Sequence, residues 1–511
     1  MQHVLKILFH RVFWVAIALI AQAVALIIMI LRFQQYFVYF YGICTFLSMV
    51  VVIALANGRS KPGYKIAWII AILLFPIFGG LFYLVFGGSR LGKRARENMA
   101  GITDKMAETL NTNTEVLHEI MADNLEAGCQ SRYINDYAYC PPYRNTYTEY
   151  LPVGEVKFAR LLEELEKAQH FIFLEYFIID EGMMWNSILD ILKRKAAAGV
   201  DVRVIYDDIG SILKLPYKYE KKLESMGIKC CVFNPFKPIL SPRYNNRDHR
   251  KIAIIDGHTG FTGGINLADE YINARERCGH WKDTAVMIKG EAVYSLTVMF
   301  LSMWGYLRGV EEDYTKFKPS TYDLAGLPVS GYVQPFSDNP LDDEAVGESV
   351  YLNLISRAKQ YIYITTPYLV VDTEVMSALC NAAKQGIDVR IITPYIPDKW
   401  YVHEVTRFNY EPLLEAGVRI YEYTPGFIHG KNFVVDDVYA VVGTINLDYR
   451  SLFLHFECGV WLYKTESVAQ VKKDFLDVLA VSQEIKLDDY RCIAWPRKIE
   501  RAILNLFAPL M

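Results

Sequence analysis

Two short runs in this 511-residue chain carry the residue types needed for chemistry at phosphorus. The first is His249-Arg-Lys251-Ile-Ala-Ile-Ile-Asp256, followed by Gly263-Gly264-Ile-Asn266. The second is His429-Gly-Lys431-Asn-Phe-Val-Val-Asp436, followed by Gly443-Thr444-Ile-Asn446. The registers agree: two residues from histidine to lysine, seven to aspartate and seventeen to asparagine (266 − 249 and 446 − 429). On a strand, residues two apart face one side, so each histidine projects with its lysine. Imidazole attacks phosphorus or moves protons near neutral pH. Lysine and asparagine donate to phosphate oxygens and stabilise charge in the transition state without a metal. Gly264 and its neighbour let the backbone approach a phosphate, and Asn266, Asn446 and Thr444 are expected to touch the same group. Two such half-sites, facing each other, supply one nucleophile and one general acid. Neither metal nor cofactor is required.

The elements that position these runs repeat as well. Phe171-Ile-Phe-Leu-Glu-Tyr-Phe-Ile reads as a buried strand, residues 185–198 as an amphipathic helix, and Gly199-Val-Asp-Val-Arg-Val-Ile-Tyr as a turn and strand. Downstream, Tyr361-Ile-Tyr-Ile, residues 374–385 and Gly386-Ile-Asp-Val-Arg-Ile-Ile give the same order, 187 residues later (388 − 201). A βαβ rhythm repeated in this way implies internal duplication of an α/β unit. The expected organisation is a helical membrane module over 1–90, linker helices over 91–145, α/β domains over 146–335 and 336–490, and an amphipathic helix over 491–511.

Hydrophobic residues make up 52% of the chain and mean hydropathy is +0.13. The excess sits in the first ninety residues or so, as three apolar segments over 12–31, 37–56 and 66–86. The first two match the ~20 residues that cross a hydrocarbon core. Pro76, Gly79 and Gly80 interrupt the third, which permits a re-entrant segment. Two crossings plus a re-entrant hairpin put Lys6, Arg11, Arg59, Lys61, Lys65 and the 90–96 basic cluster on one cytoplasmic side. Three spans with an external amino terminus also leave the catalytic region cytoplasmic. Net charge is −3 and the pI about 6.4, so no basic field advertises a nucleic-acid partner. Nine scattered cysteines show no metal-ligand spacing and read as free thiols. The acidic pairs around Asp207-Asp208 and Asp342-Asp343-Glu344 read as solvated loops. Nothing in the sequence points to a protein partner.

The paired runs resemble the signature of the phospholipase D superfamily over about residues 141–486. Within it, Asn246-Arg-Asp-His-Arg-Lys-Ile, Phe261-Thr-Gly-Gly-Ile-Asn and Asn446-Leu-Asp-Tyr-Arg450-Ser451 resemble bacterial cardiolipin synthases most. The apolar amino-terminal pattern is similar too. The resemblance implies two duplicated α/β domains sharing one active site, in which one histidine forms a phosphohistidine and the other protonates the leaving alcohol. His249, Lys251 and Asn266 would build one half, and His429, Lys431 and Asn446 the other. Asp256 and Asp436 complete the catalytic signature in a supporting part, and Asp283 and Glu457 match the acids that orient the histidines. Family likeness leans to His249 as nucleophile. It also implies phosphatidylglycerol as substrate, cardiolipin and glycerol as products, and a bacterial cell membrane as the location. A phospholipase D using water, or a transferase using another alcohol, would show the same motifs. Thr444 stands where serine is commoner, and His455 where asparagine is; a packing role is expected for His455.

Beyond the motifs, Ile499, Ile503, Leu506, Phe507 and Leu510 recur at helical spacing among Arg497, Lys498 and Arg501. That pattern suits either a helix lying in an anionic interface or one docked on the enzyme's own surface.

Overall fold

The computed structural model describes residues 37–58, 61–75, 79–87, 93–110, 114–236, 245–342 and 344–510, with a few positions between 20 and 28. The first α/β repeat forms a seven-stranded sheet. Its order is Thr146–Leu151, Ala285–Gly290, Thr259–Gly263, Lys251–Ile255, Phe171–Tyr176, Asp201–Asp207, Lys229–Phe233. The second repeat runs Tyr332–Asp338, His455–Tyr463, Tyr439–Gly443, Asn432–Val435, Tyr361–Thr365, Asp388–Pro394, Arg419–Tyr423, and adds Ser482–Ile485 at the edge. Strand for strand the order is the same. The duplicated α/β architecture is therefore present.

Each repeat joins its parallel strands through a helix, as parallel pairing requires. Met183–Ala197 links Phe171–Tyr176 to Asp201–Asp207, and Thr373–Lys384 links Tyr361–Thr365 to Asp388–Pro394. The strands behind the histidines, Lys251–Ile255 and Asn432–Val435, are buried at every position. That burial explains why both read as continuous apolar runs rather than alternating ones.

The repeats are joined by two short parallel ladders. Arg247–Asp248 pairs with the start of His455–Tyr463, and His280–Lys282 pairs with Gly426–Ile428. The His249 amide then donates to the Phe456 carbonyl at 2.9 Å, and the His429 amide to that of Lys282 at 2.6 Å. Each histidine-bearing run is thus stitched by its backbone to the opposite repeat.

Asp256 and Asp436 lie at the far ends of these strands in left-handed backbone, at φ 50° and 54°. The Asp256 carboxylate accepts from the amides of Gln169, His170 and Phe171 at 2.7–2.8 Å. Asp436 does the same for Lys359, Gln360 and Tyr361 at 2.6–2.9 Å. Asp256 stands five residues beyond Lys251, or roughly 16 Å along the strand. Asp256 and Asp436, grouped with the catalytic signature in a supporting part, each clamp the start of the neighbouring strand.

Upstream, the stretch expected as linker helices forms Lys93–Leu110, Thr114–Asp123 and Leu125–Tyr137. Leu110, Val116, Ile120 and Ile134 are buried in the same core as the second sheet, so this stretch packs as part of the catalytic body.

The first apolar segment, 12–31, lies outside the described residues apart from a few helical positions. The second is the helix Phe37–Asn57, apolar and long enough over twenty residues to cross a membrane. The third begins as the helix Pro62–Leu74 and turns back through Gly79–Phe82 and the π-helical turn Tyr83–Gly87. A Cβ on Gly79 would sit 2.5 Å from the Cα of Ile72, and one on Gly80 the same distance from the Ser48 hydroxyl. Only glycine lets the returning chain approach so closely. Tyr64 donates to the Gly87 carbonyl at 2.5 Å, so the segment ends beside its own beginning. At ~1.5 Å per residue its thirteen-residue arm reaches roughly 20 Å, less than the ~30 Å of a hydrocarbon core. Lys61, at its entrance, pairs with Glu348 and Asp372 at 2.9 Å each and fixes the hairpin to the second repeat.

Asp256→Ala removes an acceptor for three amides and leaves a β-carbon at positive φ. It is expected to lower unfolding free energy by about 3 kcal/mol in chemical denaturation of the detergent-solubilised protein. Asp256→Gly, which relieves the β-carbon strain that Asp256 itself bears at φ 50°, should lose less.

Candidate active site

His249 and His429 leave their strands at the junction of the two repeats, where the ladders bring the opposite repeat's acids beside them. His249 Nδ1 lies 2.8 and 3.0 Å from the two oxygens of Glu457, which belongs to the second repeat. His429 Nδ1 lies 2.6 Å from Asp283 Oδ2, which belongs to the first. The pairing is crossed. Both carboxylates are fully buried and each histidine nearly so. With Nδ1 held by a carboxylate, each ring offers Nε2 to a reactant.

Lys251 and Lys431 are buried as well, and each ammonium donates to the carbonyl of its own histidine. Burial is the largest influence on all four groups. It pushes Lys251 down to about 7 and Lys431 to about 8, against the pull of the neighbouring acids. Burial followed by Lys431 brings His429 down to about 4, while Asp283 pulls the other way. His249 is held well below the usual imidazole range by burial, then by Lys251, Lys431 and His429. Both imidazoles are therefore neutral at pH 7 in the resting site, and the two halves act on one another electrostatically.

The remaining expected site residues divide. Asn266 is committed to the fold: its carbonyl accepts from the Ile178 amide and its amide donates to Tyr271 Oη at 2.8 Å. Asn446 is buried, and its Oδ1 has no hydrogen-bond partner among the described residues. Gly264 and Thr444, expected at the substrate, instead serve the acids. A Cβ on Gly264 would fall 2.1 Å from Asp283 Oδ1, so the glycine makes room for that carboxylate. Thr444, at the matching position, donates to Glu457 Oε2 and accepts from the Cys458 amide at 3.0 Å. The corrected reading is that both position the acids.

His455 stands with its ring 5.5 Å from that of His249 and Nδ1 3.8 Å from Glu457, pushed down to about 3 by burial. Aromatic rings complete the walls: Phe177 lies 5.0 Å from His249, and Trp281 and Phe427 lie 5.5 and 5.6 Å from His429. Only the placement of Trp281 two residues before Asp283 hinted at them.

Two buried ion pairs that sequence reasoning missed brace the His249 run. Arg247 forks onto Asp207 at 2.6 to 3.1 Å, and Arg250 pairs with Glu175 at 2.5 Å and Asp248 at 3.1 Å. Asp207, expected in a solvated loop, is fully buried beneath Arg247. The signal was available in Asn246-Arg-Asp-His-Arg-Lys, an unusual density of charge directly before a buried strand. Glu344, read with the other solvated acids, accepts from Tyr133 at 2.5 Å.

Comparison with known proteins bears on the same residues. A family model described as cardiolipin synthase, PLD-like domain, matches residues 161–304 and 351–479, one match per repeat. The chain belongs to the cardiolipin synthase family of phospholipase D-like enzymes. It is accordingly a phosphatidyltransferase. A second model, phospholipase D-nuclease N-terminal, matches residues 46–88, the apolar helix and hairpin. The cardiolipin synthase of Halalkalibacterium halodurans is 35% identical over 90% of this chain and 91% of its own. That of Geobacillus kaustophilus is 36% identical over 92% of each. An uncharacterized Streptococcus mutans protein is 43% identical over 90% of this chain and 99% of its own. Among solved structures, phosphatidylserine synthase from Haemophilus influenzae superposes with a TM-score of 0.55 at 16% identity, covering 75% of this chain and 98% of that one. At that identity the likeness is one of fold.

Thr444→Ala takes from Glu457 a hydrogen bond made inside a buried site. In this family member it should lower kcat about tenfold, the equivalent of ~1.4 kcal/mol, with little change in KM. Thr444→Ser, which restores the hydroxyl, should recover most of that rate.

Proposed function

We propose that this enzyme joins two phosphatidylglycerol molecules into cardiolipin and glycerol through a phosphohistidine. The observation that carries the reading is the pair of crossed imidazole–carboxylate contacts, each backed by the lysine two residues after the histidine. The relatives named as cardiolipin synthases support the choice of substrate.

His249 takes the nucleophile's part. Burial, then Lys251 and Lys431, favour its uncharged ring, and each imidazole has a carboxylate at Nδ1 to support a proton, Glu457 for His249 and Asp283 for His429. Nε2 of His249 attacks the phosphodiester phosphorus, and the bond from phosphorus to the glycerol headgroup oxygen breaks. His429, protonated as the anionic substrate enters, gives its proton to that oxygen, and glycerol leaves. His429, now neutral, takes a proton from a headgroup hydroxyl of the second phosphatidylglycerol. That oxygen attacks phosphorus, the P–N bond breaks, and His249 is regenerated. Lys251 and Lys431 neutralise the phosphoryl oxygens during both displacements. The buried, aromatic-walled site disfavours water as the competing acceptor.

The apolar module supports a membrane setting for this chemistry. We assign the Phe37–Asn57 helix to a crossing and the 62–87 hairpin to a re-entrant insertion, with the catalytic body on the cytoplasmic side where the basic residues gather. This leaves phosphatidylglycerol, rather than a nucleic acid, as the reachable phosphodiester.

Purified protein supplied with phosphatidylglycerol should yield cardiolipin and glycerol in equal amounts by mass spectrometry. Phosphatidic acid as the main product would assign water as the acceptor instead. His249→Ala and His429→Ala should each abolish product while the protein still fractionates with membranes. A variant retaining normal output would refute a shared site.

The lysines set the pH dependence. Each stabilises phosphate only while protonated, so raising pH through about 7 to 8 removes that charge. The log of kcat/KM should fall above about pH 8. Lys251→Arg, whose cation persists, should flatten that limb where activity survives.

A further inference from the structure

The carboxyl-terminal helix Trp495–Leu506 is docked the wrong way round for a soluble protein. Its one buried residue is a cation: Arg501 pairs with Glu404 at 2.6 Å and lies over the Tyr490 ring at 5.2 Å. Leu504 packs inward on the cluster around Val402 and Val405, but the other apolar side chains of its long face point outward. Trp495, Ile499, Ile503 and Leu506 fall on one face and are 72, 48, 52 and 44% exposed. A helix docked only for packing would bury that stripe and expose the arginine. The sequence left open whether this segment lies on the enzyme or in an interface, and the geometry permits both at once.

The helix that receives it, Trp400–Phe408, shows the same inversion at its start. Glu404 and Val405 face inward, while Trp400 and Tyr401 are exposed beside exposed Tyr395 and Ile396. Lys399, at its amino-terminal cap, lies 5.5 Å over the Tyr368 ring and acts on the charge balance of His249. One short segment therefore carries both a rim residue of the active site and a pair of outward-facing aromatic rings.

The exposed face is continuous with the membrane module. The Trp495–Leu506 helix touches the Pro62–Leu74 arm, and Pro509 approaches to 3.3 Å of where a Cβ on Gly63 would stand. Arg497 and Lys498 border the apolar stripe, and tryptophan and tyrosine occupy its edges, the residue types favoured where hydrocarbon meets headgroups.

We propose that this face, built from Trp400, Tyr401 and the Trp495–Ile499–Ile503–Leu506 stripe, lies in the surface of an anionic phospholipid bilayer and holds the active-site rim against the headgroups. The occupant is lipid rather than a second copy of the chain, because the face adjoins the apolar hairpin and basic side chains border it. The delivery of headgroups rests on the phospholipid chemistry proposed above; the placement of the face does not.

The full-length protein in nanodiscs containing phosphatidylglycerol separates the two. Emission assigned to Trp495, as the difference between wild type and Trp495→Phe, should fall severalfold when the acyl chains are brominated and resist aqueous iodide. Emission quenched by iodide and indifferent to bromine would overturn the proposal, as would shielding from both, which would mean coverage by protein. In the second arm, Ile499→Asp with Ile503→Asp should lower turnover of bilayer phosphatidylglycerol about tenfold. Turnover of a short-chain phosphatidylglycerol below its micellar concentration should be unchanged. Equal loss on both substrates, or on neither, would sink the inference. A wild-type protein inactive on both would instead defeat the proposed reaction and leave the quenching result standing.

Discussion

The site depends on two imidazoles each held by a carboxylate from the other half of the molecule. Neither repeat can order its own histidine: His249 needs Glu457, and His429 needs Asp283. Two buried histidines with neutral rings and two buried carboxylates would be costly if the halves separated, because each acid would lose its donor. The backbone ladders at Arg247–Asp248 and Gly426–Ile428 make that separation harder still. Assembly of the catalytic centre and association of the repeats are one event.

Other features follow from that constraint. The lysine two residues after each histidine must be buried with it, which lowers its proton affinity and ties its ammonium to the histidine carbonyl. The run before His249 has to leave its own sheet to reach the opposite one. Its two arginines are accordingly neutralised by Asp207, Asp248 and Glu175, all buried. These pairs sit beneath the site and do no chemistry, yet they determine where the histidine backbone lies.

Much of this was legible in the sequence because duplication supplies its own control. The register from His249 to Asn266 and from His429 to Asn446 identified the paired half-sites, and the βαβ rhythm identified the sheets. What the sequence obscured were contacts across the duplication. Spacing shows which residues share a strand, but not that an acid thirty-four residues after one histidine serves the other (283 − 249). What Asp256 and Asp436 support was hidden for the same reason. Their regular spacing reflects a shared need to clamp a strand end in left-handed backbone, and the motif alone does not distinguish a structural repeat from a chemical one. The chain reversal after Pro62–Leu74 was readable from Pro76, Gly79 and Gly80, because a close return of the backbone leaves that composition behind.

The residues behind the two acids differ. Gly264 vacates space for the shorter Asp283, while Thr444 reaches the longer Glu457 with a hydroxyl. A homodimer of one such half would be obliged to furnish identical pockets, since every substitution appears twice. Fusion into a single polypeptide lifts that obligation. Each half can therefore hold its acid by its own means, and the two half-sites are alike in fold without being equivalent in detail.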